Sequence, residues 1–262
     1  MYLLRKMVLA GLLFSAGVNM FAQESAYAYD ANGNLTKDLN KNIVDIQYNS
    51  LNLPSRIVFK NGDNISHVYS ADGSKLRTVR VADGDTLTTD YCGNVIYENG
   101  VPVRLMTDVG YIALSDTSYH YFIKDHQGNV RVVADEHGNA EEVNDYYPFG
   151  GLMSTSSRQS VQPYKYNGKE LETACGVNWY DYGARRYDPV LGRWNGVDPL
   201  CEDYYSENPY GYCGNNPVNY VDPNGLMKVL YNPDGTYKET THNNWFHNTF
   251  MGRQRSEEHT SE

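Results

Sequence analysis

Three aspartates followed by proline, Asp188-Pro189, Asp198-Pro199 and Asp222-Pro223, are the residues best suited to chemistry in this sequence. Two carboxylates held close together share one proton, because like charges at short range cannot both ionise cheaply. Such a pair, one member neutral and one ionised, can hold and activate a water, which is what hydrolysis of a peptide bond requires. Asp198 and Asp222 are the candidate pair, with Asp188 and Arg193 in reserve. Arg185 and Arg186, with Arg193, lie among these aspartates and can pair with a carboxylate to keep it ionised. The plain alternative is equally physical: Asp-Pro opens turns, and arginines serve as structural partners in a polar β-wall. Catalysis by the pair requires the chain from Pro199 to Val221 to fold back as a hairpin and bring the two together.

Other chemistries find little support. There is no P-loop, no G-x-S-x-G and no H-E-x-x-H pattern. The seven histidines are scattered, and His242 and His247 are too isolated to bind a metal. Asp83-Gly84-Asp85 reads as a turn and not as a calcium loop. No metal and no cofactor is expected. The four cysteines, Cys92, Cys175, Cys201 and Cys213, form no C-x-x-C; if a disulfide exists, Cys201 with Cys213 is the preferred pair. A net charge of −10 argues against a nucleic-acid partner, which needs a concentrated basic surface.

The elements that must position these residues are strands. Tyr accounts for 24 residues against 7 Phe and 3 Trp, and Gly for 23. Such a chain cannot build a large Leu/Ile core, but it can build many short Tyr-faced strands joined by Asn/Gly turns. Segments opening at Tyr29, Tyr48, Tyr69 and Tyr91 share a pattern of Tyr, turn and β-prone run, at steps of about 20 residues, which suits two short strands and two tight turns. Asn32-Gly33, Asn61-Gly62, Asp72-Gly73, Asp83-Gly84 and Asn99-Gly100 supply turns of the type I′ hairpin kind. Residues 27 to about 115 therefore read as a ribbon of stacked β-hairpins. The fold class is all-β, with a mostly β, loop-rich segment after it and one short helix around Lys169 to Ala174.

The N-terminus reads as a signal peptide: Arg5-Lys6, an apolar run from Met7 to Phe14, and cleavage between Ala22 and Gln23. Export to the periplasm, cell surface or medium follows, with no stable membrane span once the signal is removed.

From Tyr119 to Leu226 the sequence resembles the RHS repeat-associated core. The landmarks are Asp125-His126-Gln127-Gly128-Asn129, Tyr147-Pro148-Phe149-Gly150, Tyr166-Asn167-Gly168-Lys169-Glu170, the run from Tyr180 to Pro189, Gly192-Arg193-Trp194, and Asp222-Pro223-Asn224-Gly225-Leu226. The upstream hairpins resemble the YD repeats of the same polymorphic-toxin family. The resemblance implies a hollow β-shell plugged by the core segment, with a variable C-terminal effector enclosed and released by self-cleavage. Carried onto this chain, the bond cut lies between Leu226 and Met227. The implied partners are the chain's own C-terminal effector and an immunity protein, and no activity toward external substrates is implied.

The expected organisation is a signal at 1–22, hairpin repeats at 23–115, the core at 116–226, and the start of a variable region at 227–254, too short to bury a catalytic core. The final eight residues, RSEEHTSE (255–262), match the translation of a common sequencing adapter and are expected not to be native. The repeats are too few to close a shell, so an end-piece with open strand edges is expected. Two other readings stay open: a surface adhesion or glycan-binding β-module, since Tyr-rich surfaces stack on sugars, and an eroded, inactive cassette.

Overall fold

A computed structural model describes residues 25–157, 161–203, 205–226, 228–231 and 237–238. Ala22, Gln23 and Met227, the signal sequence and the C-terminal region beyond 238 lie outside the described residues.

The Asn/Gly punctuation produces one antiparallel meander of thirteen strands in which each strand pairs with its sequence neighbours. These are Tyr27–Tyr29 (β1), Leu35–Asp38 (β2), Ile43–Tyr48 (β3), Pro54–Phe59 (β4), Asn64–Tyr69 (β5), Lys75–Ala82 (β6) and Asp85–Cys92 (β7). The meander continues through Val95–Glu98 (β8), Val101–Thr107 (β9), Gly110–Ala113 (β10), Tyr119–Lys124 (β11), Val130–Asp135 (β12) and Ala140–Val143 (β13). Hydrogen bonding thus runs unbroken past residue 115. Two smaller sheets follow. One joins Glu170–Glu172 (β14), Trp179–Asp181 (β15), Arg186–Asp188 (β16) and Arg193–Trp194 (β17); the other joins Tyr220–Val221 (β18), Val229–Tyr231 (β19) and Tyr237–Lys238 (β20). Among the described residues no helix is long and apolar enough to cross a membrane.

The all-β class expected from composition is what the chain adopts, with two local corrections. The helix expected at Lys169 to Ala174 is strand β14: only Leu171 turns inward, while Glu170 and Glu172 reach the ribbon on the other side, an alternation of period two. The turns also divide into two kinds. Asp83-Gly84 and Asn99-Gly100 have positive φ at both residues, as type I′ demands. At Gly33, Gly62 and Gly73 only the glycine is left-handed, which marks three-residue loops ending in a bulge. In the Gly33 loop an aspartate at the opening position fixes this form; in the Gly62 and Gly73 loops Asn61 and Asp72, inside the loop, accept from the backbone of Asp63 and Ser74 instead. Asp30 Oδ1 accepts from the backbone of Asn32 (2.9 Å) and Asn34 (2.8 Å), while Gly33 N donates to Asp30 O. Asp125 and Asp135 repeat the device in the same Asp-x-x-Gly-Asn spacing.

Two cores result. Leu35, Ile43, Ile46, Ile57, Phe59 and Ile65 cover one face of the early ribbon and pack on Val177 and Trp179. The second core is aromatic: Tyr166, Tyr180, Tyr182, Tyr187 and Tyr212 close around Trp194. Tyrosine serves here as an interior residue because every hydroxyl finds a partner. Tyr180 and Tyr187 donate to the carbonyls of Gly150 and Phe149, and Tyr182 and Tyr212 both donate to Asn167 Oδ1 at 2.7 Å. An ionic clamp holds the ribbon to the second sheet. Lys75 Nζ lies 2.6 Å from both Glu170 and Asp181, and Arg80 Nη2 lies 2.7 Å from Glu172.

Candidate functional site

The turn between β15 and β16 carries Arg185, the loop after β17 carries Asp198, and Asp222 follows β18 directly. Three backbone contacts bring these loops together. Ala184 N donates to Asn224 O, Asp198 N to Pro209 O, and Trp194 N to Tyr210 O. The segment from Pro199 to Val221 does fold back, through two single-turn 3-10 helices rather than as the hairpin expected. Gly225 sits so tightly on the Arg185 turn that a Cβ there would lie 3.0 Å from Arg185 N, and its φ of +79° suits only glycine.

Asp198 and Asp222 meet on one guanidinium nitrogen. Arg185 Nη2 lies 2.6 Å from Asp198 Oδ2 and 3.5 Å from Asp222 Oδ2. Arg185 is itself fixed from every side: Nε donates to Gly225 O at 2.5 Å, Nη1 to Pro209 O at 3.1 Å, and the guanidinium stacks 4.2 Å from the centre of a Trp194 ring. Asp222 is 3% exposed, and its Oδ1 accepts from the backbone of Asn224, Gly225 and Leu226 at 3.1, 2.7 and 3.2 Å. Burial nonetheless outweighs these donors and Arg185, and pushes the Asp222 carboxyl up to about 6. Burial also raises Asp198, with Arg185 opposing, and it holds Arg185 below its usual range against the pull of both aspartates. One cation therefore serves two carboxylates, and a proton enters or leaves the group near neutrality. Beside them is a cavity of about 40 Å³, room for a water or two. Its walls include both aspartates, Arg185, Cys213 and Leu226.

The reserve residues lie apart. Asp188 Oδ2 accepts from Trp179 Nε1 at 3.1 Å and pairs with Lys41, and its Oδ1 takes the backbone N–H of Val190 and Leu191, so its lone pairs anchor the first core. Arg193 lies over the ring of Tyr210 at 4.7 Å, and Arg186 pairs with Asp181. The sequence weighs the three arginines alike; adjacent residues on a strand end face opposite ways, and only Arg185 turns toward the pair. Lys169, which donates to Pro223 O at 2.6 Å and backs Asp222, carries no signal in the sequence beyond its place in Tyr-Asn-Gly-Lys. The cysteine pairing is corrected: Cys201 and Cys213 line the same cavity, yet all four cysteines are free thiols. Cys213 is buried in the aromatic core, where burial and nearby Asp222 hold its thiol protonated.

No family model matches the sequence. Structurally, the chain superposes on the crystal structure of TcdB2-TccC3 with a TM-score of 0.62 at 22% identity, over 76% of this chain and 11% of that one. The chain has the fold of a segment of that toxin complex. In sequence it is 37% identical to toxin subunit YenC1 of Yersinia entomophaga over 43% of its length, and 30% identical to salivary gland surface protein 1 of Aedes aegypti over 79%. It spans 12% and 7% of those relatives.

Proposed function

We propose that this chain is the end segment of an exported RHS-type scaffold that encloses and presents a C-terminal effector, and that it frees the effector by one cut after Leu226. The observation that carries this reading is the placement of Leu226 against the same small cavity as Asp198, Asp222 and Arg185. Asp198, paired at 2.6 Å with Arg185, is the member suited to stay ionised and to take a proton from a water in the cavity. Asp222, raised to about 6, is the member suited to hold a proton and pass it to the leaving amide nitrogen. The water adds to the Leu226 carbonyl carbon, the bond to the next nitrogen breaks, and the proton taken up by Asp198 balances the one Asp222 gives. Arg185 positions both carboxylates and, through Gly225 O, the strand leading to the bond. The partners of this reading are toxin subunits of the same assembly and the effector itself.

Intact mass of the whole expressed chain, beside Asp222→Asn and Asp198→Asn, tests it. A break after Leu226 in the wild type alone is expected. A folded wild type that stays whole from acid to neutral pH removes the catalytic part and leaves a purely structural or binding module.

A further inference from the structure

A second buried cluster lies at the junction of the ribbon with the core segment, outside the aspartate site. Glu142 on β13 and Asn144 two residues on point to the same side, as alternate residues of an extended chain do. Lys165 enters from the loop before β14, its backbone held by Val130 N donating to Lys165 O (3.1 Å) and by Lys165 N donating to Lys169 O (2.9 Å). Glu142 and Asn144 are fully buried and Lys165 is 1% exposed. Glu142 Oε1 stands between the other two: Lys165 Nζ donates to it at 2.5 Å and Asn144 Nδ2 at 2.6 Å. Gln162 Nε2 donates to the same oxygen at 3.1 Å. Glu142 Oε2 and Asn144 Oδ1, both acceptors, are buried with no partner.

This is a poor design for a mere ion pair. Burying both charges is expensive, and three donors crowd one oxygen while two acceptors go unserved. Moving one proton from Lys165 to Glu142 removes the two buried charges and makes one of the unserved oxygens a donor. It leaves an uncharged amine, which is a nucleophile, and a carboxylic acid, which can donate to a carbonyl oxygen. Burial holds the Lys165 ammonium below the usual lysine range, with Glu142 opposing.

We propose that Lys165 and Asn144 join in an intramolecular isopeptide bond, with Glu142 as the proton carrier. The Lys165 Nζ lone pair attacks Asn144 Cγ, and the acid on Glu142 protonates the carbonyl oxygen as the tetrahedral carbon forms. Glu142 then moves a proton from Nζ to Nδ2, the Cγ–Nδ2 bond breaks, ammonia leaves, and the hydroxyl proton returns to Glu142 as the C=O reforms. The product is a secondary amide, one ammonia and a neutral Glu142, so the protons of the starting ion pair and amide are all accounted for and no oxidant is needed. The bond ties the last strand of the ribbon covalently to the core segment. It is independent of the aspartate pair.

The test is mass spectrometry of the whole chain and its tryptic digest. The expected result is a deficit of one ammonia that maps to a branched peptide joining Asn144 to Lys165, with no cleavage after Lys165. Lys165→Arg is expected to give linear peptides and a lower unfolding temperature. Asn144→Asp is expected to form the same link with loss of water instead of ammonia, and Glu142→Gln to lose it. A wild type with a cooperative unfolding transition but linear peptides at both positions overturns the proposal. So does a deficit that maps within one linear peptide, as succinimide formation would produce.

Discussion

Replacing Asp222 with Asn isolates the cost of keeping a carboxylate in this site. The folded chain holds the Asp222 carboxyl near 6, against 3.8 for the ordinary group. Between those values the folded chain binds a proton that the unfolded chain does not, so stability falls as pH rises through the window. A difference of about two units, at about 1.4 kcal/mol each, makes the loss about 3 kcal/mol between roughly pH 4 and pH 6. Asp222→Asn keeps an oxygen for the N–H groups of Asn224, Gly225 and Leu226, but turns an amide toward Arg185. That cost does not depend on pH, so it shifts the variant's curve without tilting it. The assay is urea unfolding at a series of pH values of two chains that differ only in Asp222→Asn, both carrying Asp198→Asn, which removes the cut and the second carboxylate on Arg185. Groups remote from Asp222 are common to the two chains and cancel in the difference. The chain that keeps Asp222 should lose ground to its Asp222→Asn counterpart as pH rises through the window. A constant difference, or an Asp222 chain that gains on its counterpart, would refute the claim that burial outweighs Arg185 and the backbone donors.

Two further outcomes follow from the same reasoning. Lys75→Met leaves Glu170 and Asp181 without their shared cation at the ribbon–core junction and should cost about 3 kcal/mol, read from the urea midpoint. Thr117 holds a φ of +62° in the turn between β10 and β11, a strained position for a β-branched residue, so Thr117→Gly should raise stability by about 1 kcal/mol, read from the melting temperature.

The turns that the sequence makes legible are those whose conformation is set locally. Asp83-Gly84 and Asn99-Gly100 declare themselves because only such pairs sit easily at positive φ on both residues. The ribbon's passage beyond residue 115 is hidden because Thr117, not glycine, takes the left-handed position in that turn. Glu170 to Glu172 is misread as helix because charged residues flank a single leucine, and their partners, Lys75 and Arg80, lie about ninety residues away. The aspartates are legible through Asp-Pro, but their meeting on Arg185 depends on loop contacts to Pro209 and Asn224 that no spacing encodes. The Cys201–Cys213 pairing fails for a similar reason: Cys213 packs into the aromatic cage instead.

The strictly sequential strand order has a consequence for how the chain comes into being. Every strand pairing within the ribbon is made with the strand just finished, so the meander can assemble hairpin by hairpin during synthesis. Its apolar face is another matter. Ile43, Ile46, Ile57 and Ile65 await Val177 and Trp179, more than a hundred residues later, and Lys41 awaits the Val177 carbonyl 136 residues on. For that interval the nascent ribbon displays an uncovered hydrophobic sheet with charged Lys75 and Arg80 at its side. It is then a ready client for a holding chaperone, until the core segment emerges from the ribosome and closes the lid.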